Sequence, residues 1–287
     1  MSTPTKTVTP VGTPNIPVRR MDFEFDDAIP TYWFDNNPFI SMLLTGLSCT
    51  FPEGERMFMR AVRRYQDRIT DPELQKEVRA FIGQEAHHGK EHEAFNALMA
   101  RKGLPINEVM GFVKMGIARE EKMLSPERML AKTCALEHFT AMFAETVLEN
   151  PEFLEHIDPR LQPLWLWHAI EESEHKSVAF DVYQQQVGNY WVRSSEMAFT
   201  TVLFSFFTAL HTVQLMRASG EMGNLKAVRD GWRMLAGKNG FFKGMLPKYL
   251  AYYRRDFHPS QNDSGRLREK GLGMLRAMLS DKRQLAA

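Results

Sequence analysis

The sequence contains little cysteine and almost no net charge. Only two cysteines occur in 287 residues, Cys49 and Cys134, and each lies in an apolar stretch outside any Cys-x-x-Cys pair. This argues against a disulfide framework and a zinc knuckle, and it favours reduced thiols in a cytoplasmic protein. The 36 basic and 35 acidic residues give a formal charge of +1, so no global field attracts nucleic acid. We therefore predict that nucleic acid is not a partner.

The N-terminus lacks the continuous apolar stretch of a signal peptide. Residues 1–18 are instead rich in threonine and proline, which predicts a flexible leader on a chain that is not exported. Segment 21–51 is aromatic and interrupted by prolines, which predicts short helices and turns that cap one end of the molecule. Because a domain typically takes ~100–200 residues, one domain over 19–258 accommodates the rest.

Helical periodicity dominates the middle of the chain. Apolar residues recur at helical spacing in four long segments, 52–69, 72–101, 126–149 and 160–186, with a shorter helix at 107–123. The pattern predicts an all-α protein, a four-helix bundle with additional C-terminal helices. Two of those helices are expected around 220–223 and 237–244, and the tail, 259–287, is expected to form a basic amphipathic helix.

Segment 197–216 has no Asp, Glu, Lys or Arg and is long enough to cross a bilayer. Its four threonines, one serine, His211 and Gln214 lower its hydropathy, and lipid would serve these polar groups poorly. We therefore predict a helix that covers the bundle and buries its apolar residues against protein. Peripheral membrane contact, for example through the basic tail, and a homodimer both stay open.

Glutamates lie on the apolar faces of the predicted helices. At 100° per residue, Glu55 falls in the stripe of Phe51 and Phe58, where a surface glutamate would not lie. Glu85 shares the apolar stripe of its helix with His88 at i+3. In the same helix His92, at i+7, also lies on that stripe, whereas His87 and Glu91 point away from it.

The third and fourth helices repeat this feature. Glu137 lies in a stripe of small residues, including Ala141 and Ala144, which leaves room for a bulky group. In the fourth helix one face presents a His, a Glu four residues later and a His three residues after that. These residues are His168, Glu172 and His175. Glu171 lies at the edge of this stripe, and Glu174 faces away.

Four carboxylates in one core need a cationic partner, because an unpaired buried carboxylate costs several kcal/mol. No Lys or Arg lies on these faces, whereas two divalent ions would offset the charge and also bind imidazole. One Glu from each of two helices and Glu-x-x-His from each of the other two is the pattern of di-iron or di-manganese centres. These ligands are Glu55, Glu85, His88, Glu137, Glu172 and His175. The alternative is a buried Glu/His hydrogen-bond network without metal.

Several motifs resemble a known family. The runs are FPEGERMF, FIGQEAHHGKEHEAFN, ALEHFT, WLWHAIEESEHKSVAFDVY and YRRDFHP. From about Val18 to Pro259, the chain resembles the bacterial predicted metal-dependent hydrolases of the ferritin-like superfamily. The resemblance implies a ferritin-like fold and, by the family's name, hydrolysis.

The spacing of the site also resembles the p-aminobenzoate N-oxygenase type of di-iron enzyme. In those enzymes an additional His precedes the last Glu-x-x-His by four residues, and His168 stands at that position. The resemblance implies that His168 is a seventh ligand, to one of the two ions. His92 has no counterpart there, and we expect it to support a ligand rather than to bind metal.

Three functions are compatible with such a centre. The leading hypothesis is an oxidoreductase or oxygenase in which two iron ions, or manganese in their place, activate O2 to oxidise a small organic substrate with electrons from an unidentified donor. The second is a hydrolase in which two metals activate water. The third is a non-enzymatic iron-handling or metal-stabilised protein.

Overall fold

The computed structural model describes residues 16–285, with side chains placed as far as residue 280. The helices are α1 Pro38–Arg63, α2 Pro72–Arg101, α3 Ile106–Met123, α4 Pro126–Glu149, α5 Glu152–Glu155, α6 Gln162–His175, α7 Val178–Gln186, α8 Tyr190–Ala218, α9 Leu225–Ala236, α10 Met245–Ala251 and α11 Gly265–Leu285. Residues 16–285 contain no strand, so the all-α prediction is confirmed. The ferritin-like placement stays a prediction.

Three of the long helices begin with the same sequence signal. Asn37, Asp71 and Ser125 each precede a proline, and each side chain accepts a hydrogen bond from a backbone N–H of the first turn. The capping oxygen satisfies a donor that has no partner within the helix, and proline at the first position loses no hydrogen bond there. These signals place the starts of α2 and α4 where the periodicity predicted them.

The start of the first long helix was predicted wrongly. The sequence placed it at 52, after a region of short turns, whereas α1 begins at Pro38 and continues through Pro52. Proline inside a helix leaves the carbonyl four residues earlier without its usual donor. Here that carbonyl belongs to Ser48, and Asn96 Nδ2 of α2 donates to it at 3.0 Å. A side chain from the neighbouring helix thus replaces the missing hydrogen bond.

The fourth predicted helix is divided into two. α6 ends at His175 and α7 begins at Val178. Lys176 lies at the break and is buried, and its Nζ donates to Glu145 Oε1 at 2.8 Å and to Asn262 O at 2.5 Å. The break therefore gives a buried lysine access to partners on α4 and on the segment before α11.

Four parts of the chain surround the centre of the molecule: α1, α2, α4 and the α6–α7 pair, and each contacts at least two of the others. α3 packs against α1 and α2, and α11 packs against α4 and α6. The predicted leader lies mostly outside the described residues, but residues 16–18 contact α2. Pro17 O, for example, accepts a hydrogen bond from Gln84 Nε2 at 3.0 Å.

α8 lies across α1 and α4. Within residues 16–285 it is the one helix long and apolar enough to cross a membrane by length and composition. Its inner face is buried, as predicted, and includes His211 and Thr212. The prediction that its apolar residues are all buried is wrong, because Phe199, Val202 and Phe206 are 62%, 68% and 58% exposed. A helix that contacts the bundle along one face leaves its opposite side uncovered.

Candidate metal centre

The structure brings all seven predicted ligands together in one buried cluster. α1 contributes Glu55, α2 contributes Glu85 and His88, α4 contributes Glu137, and α6 contributes His168, Glu172 and His175. Each of these residues is at most 5% exposed. Their donor atoms form three groups of three, each with all atoms within 4.8 Å of one another. The groups are Glu55–His88–His168, Glu85–Glu137–His175 and Glu85–His88–Glu172.

One side of the cluster, the histidine-rich half, consists of Glu55, His88 and His168. His168 Nε2 lies 3.7 Å from Glu55 Oε1 and 2.9 Å from Glu172 Oε1. His88 Nδ1 lies 3.6 Å from the same Glu172 oxygen. Gly89 of α2 leaves room for Glu55, because a Cβ at Gly89 would lie 3.2 Å from Glu55 Oε2.

The other side, the carboxylate-rich half, consists of Glu85, Glu137 and His175. His175 Nε2 lies 3.0 Å from Glu85 Oε1, 3.5 Å from Glu137 Oε2 and 3.4 Å from Glu172 Oε2. The two oxygens of Glu172 thus face different halves. Ligands bound at ~2.1 Å to one ion are ~3.0–3.5 Å apart in octahedral or tetrahedral geometry, which is close to these spacings.

The donor atoms have the free lone pairs that metal binding requires. Both oxygens of Glu55, Glu85 and Glu137 are buried without a hydrogen-bond partner, and so are Glu172 Oε2, His88 Nδ1 and His175 Nε2. Buried polar atoms are normally paired, and unpaired ones are costly. All of these unpaired atoms point into the same cluster. The residues therefore fit two metal ions.

The electrostatics of the protein without metal lead to the same conclusion. Burial and the neighbouring carboxylate Glu172 raise the pKa of Glu55 well above its ordinary value, and burial raises that of Glu137 to about 8. Burial lowers the pKa of His175, but Glu172 and Glu137 outweigh it and raise the value to about 9. Without a cation the cluster holds protons in its place, so metal and protons compete for the same atoms.

His92 supports His168 from behind. His168 Nδ1 donates to His92 Nε2 at 2.7 Å, and His92 Nδ1 donates to Ser48 Oγ at 2.8 Å. Ser48 Oγ in turn donates to Asn96 Oδ1 at 2.8 Å. Because the hydroxyl proton of Ser48 goes to Asn96, His92 must donate from Nδ1 and accept at Nε2. The proton of His168 therefore lies on Nδ1, and its Nε2 faces Glu55 and Glu172 with a free lone pair. Such partners fix the tautomer and orientation of a ligand.

A second network, the Arg19 network, links one histidine of each half. His88 Nε2 donates to Glu171 Oε2 at 3.1 Å, and His175 Nδ1 donates to Gln84 Oε1 at 3.0 Å. Gln84 Nε2 donates to Glu174 Oε2 at 2.9 Å. Arg19 closes the network, because its guanidinium donates to Glu171 at 3.0 Å and to both oxygens of Glu174 at 2.7 and 2.8 Å.

Sequence reasoning missed the Arg19 network. Glu174 was predicted to face away and Glu171 to lie at an edge, and both are buried beneath the N-terminal segment. Glu91, also predicted to point away, accepts from the backbone N–H groups of Asp22 and Phe23. Helical periodicity shows only which residues share a face of one helix. It therefore cannot indicate that Arg19, from the segment before α1, contacts Glu171 and Glu174.

Two adjoining cavities lead to the cluster. One, of about 490 Å³, reaches Glu55 and Glu172, and the other, of about 820 Å³, reaches His168 and Glu172. Their shared wall is apolar and includes Leu47, Phe51, Phe139, Phe143 and Phe204. Glu85, Glu137 and His175 lie outside both walls. The cavities therefore approach the centre from the histidine-rich half.

Comparisons with known proteins identify one family. No curated protein and no solved structure gives a significant match to the chain. The family model described as predicted metal-dependent hydrolase matches residues 17–263, a range that contains all seven residues of the cluster and the Arg19 network. Because this match extends over most of the chain, the protein belongs to the family of predicted metal-dependent hydrolases.

Proposed function

We propose that the protein is an O2-dependent oxidoreductase that holds two iron ions, or manganese in their place, and oxidises a small apolar organic molecule. The observation that carries this proposal is the apolar approach to a cluster that contains four carboxylates. Anionic oxygen ligands stabilise the higher oxidation states that iron reaches in O2 chemistry, and imidazole also suits iron.

The protein's own residues have three tasks in this reaction: they hold two ligand histidines in one tautomer, exclude water and orient the substrate. Iron, when bound, would pass to O2 the electrons that come from the substrate and from an external electron donor. Glu171 and Gln84 each hold the proton of a ligand histidine on the ring nitrogen that faces away from the cluster. Phe51, Phe139 and Phe204 exclude water and orient an apolar substrate beside Glu172. The shared wall offers few polar groups, so it selects the substrate mainly by shape and apolar contact.

Hydrolysis is the second candidate, and the family description favours it. Two metals can polarise a scissile bond and generate hydroxide from water. Such a substrate carries a polar group that needs hydrogen-bond partners. In the larger cavity the polar wall residues are His168 and Glu172, the four threonines 140, 201, 208 and 212, Ser205 and Tyr249. The hydroxyls of the threonines, Ser205 and Tyr249 are the groups that would position the polar group of such a substrate.

One preparation separates the two functions. Protein purified without added metal is analysed for metal content, and portions of the metal-free protein are then loaded with ferrous iron or with zinc. The proposal predicts O2 consumption by the reduced iron form and no turnover of ester or amide panels by the zinc form. Turnover of a panel member by the zinc form, with no O2 uptake by the iron form, would establish hydrolysis instead.

A further inference from the structure

We propose that the protein docks on anionic phospholipid membranes through the outer side of α8, α9 and α10, and that its substrate is a lipid-soluble molecule that enters from the bilayer. The part that concerns the substrate rests on the proposed function, whereas docking does not. We define the docking face by Phe199, Val202 and Phe206 of α8, Trp232 of α9, and Leu246 and Leu250 of α10. Each of these residues is more than half exposed.

The docking face carries six large apolar side chains, each more than half exposed. Phe199, Val202 and Phe206 follow one another at i, i+3 and i+7, so they form one stripe along α8. Leu246 and Leu250 are 64% and 54% exposed at i and i+4 on α10. Thr201 and Tyr249 join the two helices by a hydrogen bond of 2.9 Å between their hydroxyls. Large apolar patches of this kind mark interaction sites.

The charge around the docking face indicates an anionic partner. Residues 217–256 contain nine Lys and Arg residues and three acidic residues, Glu221, Asp230 and Asp256. On α9 the side chains of Lys226, Arg229 and Arg233 are 81%, 60% and 71% exposed. Exposed aromatic and aliphatic side chains beside lysines and arginines are typical of segments that lie in the membrane interface.

The positive charge around the docking face argues against a second copy of the chain as the partner that covers it. In a two-fold symmetric dimer the same patch meets itself, so these basic side chains would approach their own counterparts. A bilayer rich in phosphatidylglycerol offers the opposite charge. The charge balance therefore favours a membrane over self-association.

The docking face borders the larger cavity, which leads to the metal centre. Trp232 and Leu246 are exposed, and both also line the larger cavity. That cavity extends inward past Phe204 to His168 and Glu172. A molecule dissolved among the acyl chains would thus reach the cluster along apolar walls without crossing water. The cavity volume of about 820 Å³ is within the range of sites for molecules of drug size.

α8 lies on the membrane in this arrangement and does not cross it. Its inner side carries Arg193, Glu196 and His211, which are at most 3% exposed. Arg193 Nη2 donates to Arg254 O at 2.8 Å, and Glu196 pairs with Arg128 of α4. A spanning α8 would have to leave the bundle, break these contacts and move His211 into lipid, which is costly.

Vesicle flotation of the full chain tests docking. The protein is mixed with vesicles of phosphatidylcholine alone or with added phosphatidylglycerol, in metal-free and metal-loaded forms. We expect it to float with the anionic vesicles in both forms. Val202→Glu with Phe206→Glu should reduce the bound fraction about tenfold, because two carboxylates would then face anionic lipid.

The matched control adds the same two charges elsewhere. Ala94→Glu with Ala97→Glu places them at exposed positions of α2, and this variant should float like the wild type. Absence of wild-type flotation overturns the docking proposal, and so does equal loss in both variants. A dimer in light scattering that the α8 variant dissociates, without flotation, would instead assign the face to self-association. Metal content and O2 uptake are measured separately, so failure of the proposed function is recognised independently.

Entry from the bilayer has its own readout. Trp165 lines the larger cavity, whereas Trp191 and Trp232 are exposed. A variant with both exposed tryptophans changed to Phe is first confirmed by flotation to bind anionic vesicles like the wild type. In this variant a brominated fatty acid in the vesicles should quench the remaining fluorescence. A further Trp165→Phe change should remove most of that quenching. Quenching that is absent, or that is unaffected by Trp165→Phe, would contradict entry through this cavity.

Discussion

The histidine-rich half and the carboxylate-rich half of the cluster are built from different donors and meet different surroundings. The first offers two imidazoles and one carboxylate of its own, and the second offers one imidazole and two carboxylates. His168 and Glu55 line the cavities, whereas Glu85, Glu137 and His175 lie outside their walls. Under the proposed function, substrate would therefore reach the centre at the ion of the histidine-rich half, and protein would enclose the other ion.

Removal of Glu172 should have the largest effect, because its two oxygens face different halves. Glu172→Ala is expected to lose both metals, as measured by metal analysis after dialysis. Glu145→Ala is the matched control, since Glu145 is a buried carboxylate that pairs with Lys176 outside the cluster. Retention of two ions by Glu172→Ala would show that Glu172 does not link the halves.

Removal of His168 should affect one half only. His168→Ala is expected to weaken the ion of the histidine-rich half and to leave the other in place, so metal content should fall from two ions to about one. His138→Ala removes a different buried histidine, one that contacts Lys248 O, and should keep both ions. Equal retention of both ions by His168→Ala would exclude His168 as a ligand.

Single changes in the Arg19 network should weaken metal binding in one half without removing a ligand. Glu171→Ala should weaken the histidine-rich half through His88, and Gln84→Ala should weaken the carboxylate-rich half through His175, each by about 10- to 100-fold in affinity. Competition with a chelator measures both affinities.

Arg19→Met should weaken both halves, because Arg19 contacts Glu171 and Glu174. Arg19→Lys should restore part of the affinity, since it keeps the charge but not all the contacts. Unchanged affinities in all of these variants would limit the network to a structural role.

The sequence predicted the cluster better than it predicted what surrounds it. Glu55 and Glu137 were found because a carboxylate on an apolar stripe conflicts with helical periodicity, and that conflict is visible within one helix. The start of α1 was missed because the partner that makes Pro52 tolerable, Asn96, belongs to another helix.

The Arg19 network and the exposed stripe of α8 were missed for a related reason. Both depend on how separate parts of the chain are placed in space. The apolar composition of α8 shows that its residues avoid water, but it does not show which of them the bundle covers. Phe206 and Met216 are both large apolar residues of the same apolar segment, yet their side chains are 58% and 3% exposed.

The pH dependence of stability should show the smallest effect. In the metal-free protein Glu137 has a pKa raised to about 8 and His175 one raised to about 9. A group with a raised folded-state pKa stabilises fully below its unfolded pKa, and this contribution is lost as the pH rises through the folded value. Metal-free protein should therefore lose stability from about pH 5 to 9, by ~1.4 kcal/mol per pH unit for each proton retained.

Bound metal replaces these protons, so the gain in melting temperature on metal addition should be larger at pH 8 than at pH 6. Thermal unfolding with and without metal at the two pH values measures this gain. Glu137→Gln should flatten the pH dependence of the metal-free protein. A gain that is larger at pH 6 would contradict the assignment of the protons to the cluster.

The central claim is that two ions occupy the two halves with Glu172 between them. Anomalous diffraction from crystals of iron-loaded protein, recorded at the iron absorption edge, tests it most directly. The account predicts two peaks, one within bonding distance of Glu55, His88 and His168 and the other within bonding distance of Glu85, Glu137 and His175. A single peak, or peaks away from these residues, would contradict it.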